Sequence, residues 1–501
     1  MMTRRLAVSG LLLYSAALCQ PVEDRIQALA AKAREAQQSG ATNAAIQAYE
    51  GILRLRPGWA QIEFNLGALY QVEKRYPESI RILTSALQHD ASVTPAHLFL
   101  GMAYYSTGQY EKARVSLERF RQRSPADPEA RFFLAQTYFA LEDFAKAIRE
   151  YKEQTQLSSD RPEVFYYLGE SYLAQARRVM ETLKAQPAGE YYRLLLAAEA
   201  QSQRGNGTGE EEILRKVIAL DPKRSEGYAS LGNLFLKKGA KAEAKAHFEN
   251  ALKRDPRDCG ALRGLSDATR APGNRQAQAA PIHCVEDASP SGAGPSRIDR
   301  NDPPALYRRF RAYTRLAEEA YAKLVALAPD SYLVAQIRAE ALEEQQKYEE
   351  AGWEYERAAK MSPRDAGPWL QFARFQCKLD RFDAAVPLLQ KALAIDPHNT
   401  EAQGLLGEAY FLQNDWKAAV PQLEVAVKAR PGATQTRIYL ARSLQTLGRL
   451  KEAAAVLESA PADPDGRIHV VLAACYRAQG RPEAAARAQV IAEQRRATKQ
   501  Q

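Results

Sequence analysis

Prolines recur along this chain with a fixed stride. Pro329, Pro363, Pro397 and Pro431 follow one another at intervals of 34 residues, and Pro222 to Pro256 is the same interval. Pro57 to Pro125 is two such intervals, with Ala91 standing where the middle proline would be. Elsewhere the stride slips: Pro125 to Pro222 is 97 residues and Pro256 to Pro329 is 73. A period of this length in a chain of 501 residues means one supersecondary unit copied many times, not a single closed core.

The filling of each period identifies the unit. Counted from Thr94, Leu100-Gly101 falls at positions seven and eight, Tyr104 at eleven, Gly108 at fifteen, Ala113 at twenty and Pro125 at thirty-two. The copy from Ser225 gives Leu231-Gly232, Phe235, Gly239, Ala244, Phe248, Ala251 and Pro256 in the same places. The copy from Thr400 gives Leu406-Gly407, Tyr410, Ala419, Leu423, Ala426 and Pro431. Positions four, seven, eight and eleven make the apolar stripe of one amphipathic helix. Small residues at eight and twenty let two helices approach closely, and glycine at fifteen ends the first helix in a left-handed residue. The closing proline starts the turn to the next hairpin.

This filling resembles the tetratricopeptide repeat family, and the resemblance covers nearly all of the chain beyond its first twenty residues. It implies an all-α fold, an α-α superhelical solenoid of about fourteen 34-residue helix-hairpin repeats, two of them degenerate. Each hairpin leaves an apolar side open until its neighbour covers it, so stability comes from stacking. One degenerate unit, near 162–190, keeps Phe165, Leu168-Gly169 and Tyr172 but lacks the glycine and small alanine of its second half. The other follows Cys259. There Ala271-Pro272-Gly273-Asn274 and the run from Ser289 to Pro295 are composed like a mobile loop. The expected organisation is a signal peptide at 1–19, an N-terminal array at 23–269, a flexible insertion or linker at 270–303, and a C-terminal array at 304–501.

The beginning of the chain reads as an export signal. Arg4 and Arg5 precede an apolar run of thirteen residues, Leu6 to Leu18, too short to span a bilayer comfortably. Ala17-Leu18-Cys19 then resembles a small-x-small cleavage site. A lipoprotein signal with Cys19 as the lipidated residue is the rival, although bulky Leu18 fits it poorly. The expectation is an exported, periplasmic or extracellular protein with no membrane span in its mature chain. Composition agrees with a folded, water-facing array: 46 % hydrophobic and 26 % charged residues exclude gross disorder and a polytopic membrane protein. Loss of Arg4 and Arg5 with a leader lowers the formal charge from +9 to +7, a mild excess that does not point to nucleic acid.

No catalytic constellation stands out. The sequence has no phosphate-binding glycine loop, no HExxH and no GxSxG, and its six histidines lie at no metal-ligand spacing. Neither a metal nor another cofactor is expected, and the chain reads as a non-enzyme. Cys259 and Cys284 bracket the degenerate segment 25 residues apart. A disulfide there competes with two unpaired thiols and with a metal site sharing His283. Cys377 and Cys475 read as small hydrophobes inside first helices.

The binding surface is the informative part. Positions two, five, nine and twelve of each first helix lie beside the packing stripe and line the concave face. Between residues 60 and 190 these include Phe64, Leu98, Met102, Tyr105, Phe132, Phe139, Tyr166 and Leu173, which is apolar for a face that meets water. In the C-terminal repeats they include Glu340, Glu343, Arg374, Glu408, Arg442 and Gln445. The aromatics either form a partner groove or pack on the next repeat. Some family members grip a C-terminal carboxylate with Lys, Asn and Arg over three repeats. Here Asn233 has no basic partners in the neighbouring repeats, so that mode is not expected. The resemblance implies a non-catalytic scaffold binding protein or peptide segments, in assembly of an envelope or secretion complex. A carbohydrate-binding or polysaccharide-export accessory role is the alternative, because sugars also stack on aromatics.

Overall fold

The computed structural model describes residues 5–157, 160–186, 189–269 and 302–500, with side chains from Val22 to Ala497. Among these residues the chain is helical throughout, with no strand. Four hairpins come first: α1 (Arg5–Gln38) with α2 (Thr42–Leu55), α3 (Ala60–Val72) with α4 (Tyr76–His89), α5 (Thr94–Ser106) with α6 (Tyr110–Arg123), and α7 (Pro128–Ala140) with α8 (Phe144–Leu157). A long single helix follows, α9 (Pro162–Lys184). Next stand α10 (Glu190–Gln203) with α11 (Gly207–Leu220), and α12 (Glu226–Lys237) with α13 (Lys241–Arg254). Then come α14 (Cys259–Thr269) and a second long helix, α15 (Pro303–Leu327). Five hairpins end the chain: α16 (Tyr332–Glu344) with α17 (Tyr348–Met361), α18 (Ala366–Lys378) with α19 (Phe382–Ile395), α20 (Thr400–Leu412) with α21 (Trp416–Ala429), α22 (Thr434–Thr446) with α23 (Leu450–Glu458), and α24 (Arg467–Ala478) with α25 (Pro482–Gln500).

Each hairpin is made by the same local devices. The residue at position fifteen adopts left-handed φ whether or not it is glycine: 71° at Gly108 and 78° at Gly239, but also 56° at Lys74 and 63° at Gln346. At position eight, a Cβ added to Gly67, Gly101, Gly232 or Gly407 would come within 2.5–2.7 Å of Leu83, Leu117, Phe248 or Leu423, each sixteen residues later. The closing proline leaves a carbonyl exposed at the mouth of the next first helix. A long polar side chain at position four reaches back to it: Arg131 donates to the Pro125 carbonyl at 2.8 Å, Gln403 to Pro397 at 3.0 Å, and Arg437 to Pro431 at 2.8 Å. Arg131 also meets the fully buried Glu150 carboxylate at 2.9 Å, so this guanidinium is paired although only 7 % exposed.

The helices gather into two compact units, one of residues 1–164 with 327–501, the other of 165–326. This division differs from the two blocks expected on either side of residues 270–303, because α15 packs back onto α9. Gly169 is a position-eight glycine, yet the ring against it is Tyr321, not a residue sixteen positions on. The Tyr321 hydroxyl donates to Glu170, and Tyr172 lies 6.3 Å from Tyr313. Further along the antiparallel pair, Val179, Leu183, Leu306 and Tyr307 share a core with Tyr191, Tyr192 and Leu195 of α10. The two long helices are the halves of one repeat, with α10 to α14 inserted between them. The described residues therefore hold eleven local hairpins, one pair closed across the insertion, and α14. The count falls below about fourteen because two apparently separate units are one. Residues 270–301, where most of the linker was expected, lie outside the described residues.

Within the first unit, early and late repeats also meet. Lys74 Nζ donates to the carbonyl of Ile395, the last residue of α19, at 2.9 Å. One step away, the Tyr76 and His398 rings are 6.2 Å apart. One repeat further on, Thr400 faces Gly108, and the Arg430 guanidinium donates to the Tyr110 hydroxyl close to Glu401. Burial pushes the Tyr110 hydroxyl pKa upward, consistent with a covered contact.

Candidate functional site

The face formed by first helices α3, α5 and α7 carries most of the apolar residues singled out from the sequence. Phe64 is half-buried, edge-on to Phe99 at 5.5 Å. Leu98 and Met102 are half-buried on α5. Tyr105 stands 5.6 Å from Tyr110 and 6.0 Å from Phe133, and its hydroxyl donates to Gln136 at 3.3 Å. Phe132 continues the run, 5.8 Å from Phe133 and 6.2 Å from the buried Tyr151, with the Arg161 guanidinium over its ring at 4.9 Å. Phe139 meets Phe144 at 5.4 Å. One side of each of these rings is engaged with a neighbouring helix or turn, and each residue keeps some exposure.

The remaining two residues belong to the second unit. Tyr166 is only 5 % exposed, held between Tyr167 at 5.1 Å and Tyr321 at 6.5 Å. Leu173 is half-buried. Tyr166 is drawn inward by α15, a partner that no reading of its own repeat could supply.

The C-terminal repeats present a polar version of the same rows. Glu343 accepts from Tyr355 at 2.8 Å and pairs with Lys378, while Arg374 pairs with Glu401. Burial holds the Glu408 carboxyl above its usual pKa, opposed by a hydrogen bond from the Tyr439 hydroxyl. Burial, with Glu408 nearby, pushes the Cys377 thiol up to about 11, far from a reactive thiolate. Cys475 sits buried at position ten of its repeat, two residues after the small Ala473 of position eight. Cys259 opens α14, whereas Cys284 lies outside the described residues. Residues 1–4, and the side chains of the rest of the expected leader, lie outside them as well. Among the described residues no cluster of three or more His, Cys, Asp or Glu could hold a metal ion, and no helix is long and apolar enough to cross a membrane.

Sequence reasoning passed over one exposed row. Trp353, Pro387 and Pro421 occupy the same position in α17, α19 and α21, and Trp353 is 68 % exposed. Their 34-residue spacing was the available signal.

Stacked helix hairpins define an α-solenoid scaffold, a class of fold that implies protein–protein interaction. The chain is a multi-repeat member of the tetratricopeptide repeat family. Residues 98–162, 225–258 and 466–488 each match a family described as tetratricopeptide repeat, and residues 378–460 match the family of anaphase-promoting complex, cyclosome, subunit 3. Cellulose synthase operon protein C of Xanthomonas axonopodis pv. citri (strain 306) is 27 % identical over 282 residues, which are 54 % of this chain and 16 % of that protein. The chain thus spans a small part of that relative's length. Among solved structures, MamA of AMB-1 is 24 % identical and aligns over 32 % of this chain and 90 % of its own, with a TM-score of 0.30. The APC/C hetero-tetramer Cut9–Hcn1 is 15 % identical over 92 % of both chains, with a TM-score of 0.29.

Proposed function

We propose that this scaffold is non-catalytic and holds protein or peptide segments outside the cytoplasm, in the assembly of an envelope or secretion complex. The observation that carries the binding reading is the row of half-buried aromatics on α3, α5 and α7, with Tyr105, Phe133 and Phe132 in ring contact. An apolar segment laid along this row would cover ring edges that face water. Burying a phenylalanine ring contributes about 1.5–3 kcal/mol, so Phe132→Ala with Phe139→Ala is expected to weaken a captured partner at least about a hundredfold. Thermal melting is the control. Normal binding by the double variant, or binding lost only together with a sharp fall in melting temperature, would assign both rings to packing.

The envelope setting is supported by the export-like start of the chain and by the name of the curated relative. Cleavage beside Cys19 predicts Gln20 at the mature N-terminus, which N-terminal sequencing of the exported protein reads directly. The relative's name also favours a second reading, an accessory protein that binds a polysaccharide. In that case cello-oligosaccharides would quench the tyrosine fluorescence of the native chain, and the same double variant would lose the response. A Cys259–Cys284 bridge belongs to the extracytoplasmic reading. In the chain-entropy model a loop of this length stabilises the fold by about 3–4 kcal/mol.

A further inference from the structure

In the last two repeats, α22, α24 and α25 enclose a concavity of about 250 Å³. Its floor is aliphatic, made by Ile438, Val470 and Val471. Three arginines also line it: Arg442 from α22, Arg467 from the start of α24 and Arg496 from α25. Arg467 is fixed in place, pairing with Asp465 at 2.8 Å and donating to Gln435 at 3.0 Å. Neither Arg442 nor Arg496 is in an ion pair among the described residues, and both are exposed. Gln435, Ile438 and Arg442 are positions two, five and nine of their repeat, the rows that line the binding face.

We propose that this pocket receives an acidic side chain from an internal stretch of a partner polypeptide, with the aliphatic residue next to it seated on the floor. The inference deepens the scaffold reading and rests on it. Two guanidinium forks without acidic partners suit a planar carboxylate, which each can hold through paired N–H donors. A floor of Ile and Val takes an aliphatic side chain but gives a sugar ring no aromatic face to stack on. The observations therefore favour a peptide over an acidic polysaccharide.

The test uses the full chain and two fluorescein-labelled, C-terminally amidated peptides, one alternating Leu and Glu, the other Leu and Gln. Amidation leaves side-chain carboxylates as the acidic groups. Fluorescence anisotropy should show the Leu–Glu peptide binding and the Leu–Gln peptide far weaker. Arg442→Gln with Arg496→Gln should weaken the Leu–Glu peptide by at least about thirtyfold, given two lost charge-assisted contacts. These side chains are exposed, so melting should not change. Val470→Glu, which puts a carboxylate of the chain's own into the pocket, should weaken it as well. Equal binding of both peptides, or unchanged affinity in the double arginine variant, overturns the proposal. So does polygalacturonate displacing the peptide at equal or lower carboxylate concentration. Failure of the native chain to bind the Leu–Glu peptide while it still captures a cellular partner removes this pocket alone. Unchanged partner capture in the Phe132/Phe139 variant, with peptide binding intact, counts against the aromatic row and leaves the pocket standing.

Discussion

Lys74, Glu142, Gln346, Asp380 and Asn414 hold φ between 56° and 63°, the conformation their glycine counterparts take with little strain. A side chain there costs about 1 kcal/mol through contact of Cβ with the following carbonyl. Gln346→Gly is therefore expected to stabilise the chain by about 0.5–1 kcal/mol, seen as a higher urea midpoint by circular dichroism. Asn tolerates this region better, so Asn414→Gly should gain less. An unchanged or lower midpoint for Gln346→Gly would mean the turn carries no strain. The glycines at this position were readable from the sequence. The five other residues were not, because the angle is imposed by two helices that must pack antiparallel, whatever side chain stands between them. The buried arginines Arg131 and Arg437 escaped notice for a related reason. Each occupies a position that usually packs apolar surface, and each donates there to the proline carbonyl six residues behind it.

At the scale of helices, both halves of the split repeat are written in the sequence, but their pairing is not. Leu168-Gly169 and Tyr172 give the first-helix signature, while Ala317, Tyr321, Leu324 and Pro329 are spaced as positions twenty, twenty-four, twenty-seven and thirty-two of a second helix. A local period cannot show that Tyr321 returns to Glu170, 151 residues away. The same limit hid the burial of Tyr166, whereas the half-buried rings of α3, α5 and α7 followed from their own and adjacent repeats. Tyr321→Ala should destabilise the α9–α15 pair by about 3 kcal/mol, judged from large-to-small aromatic deletions. Hydrogen exchange is the direct reading: amides of α9 should exchange faster, while those of the α12–α13 hairpin keep their protection. Equal acceleration across all of these helices would mean that the second unit opens as one block.

For the molecule as a whole, the contact between early and late repeats of the first unit joins residues 321 positions apart. Its polar contacts are Lys74 at a helix C-terminus and Arg430 at a tyrosine hydroxyl. Charges near the surface are screened over about 8 Å at physiological salt, so such a seam should be marginal and salt-sensitive. Spin labels on Glu73→Cys and Pro397→Cys are expected to give one short, narrow distance distribution. Lys74→Glu with Arg430→Glu should broaden it toward longer distances, as should high salt. A distribution untouched by both would mean that stacking through the intervening repeats, not the seam, sets this separation.

The split repeat also sets a timetable. A ribosome adds roughly 5–20 residues per second, so Tyr321 emerges about 8–30 s after Glu170. Throughout that interval the nascent α9 displays the face that holds Gly169 and Tyr172, while the α10–α11 and α12–α13 hairpins are made and close after it. Aggregation-prone surface is thus exposed longest at a site that looks, in the finished protein, like an ordinary turn of the stack. Slow or stalled synthesis between residues 184 and 303 should therefore harm the yield of folded protein more than an equal delay in the C-terminal hairpins, each of which closes on its own neighbour as it appears.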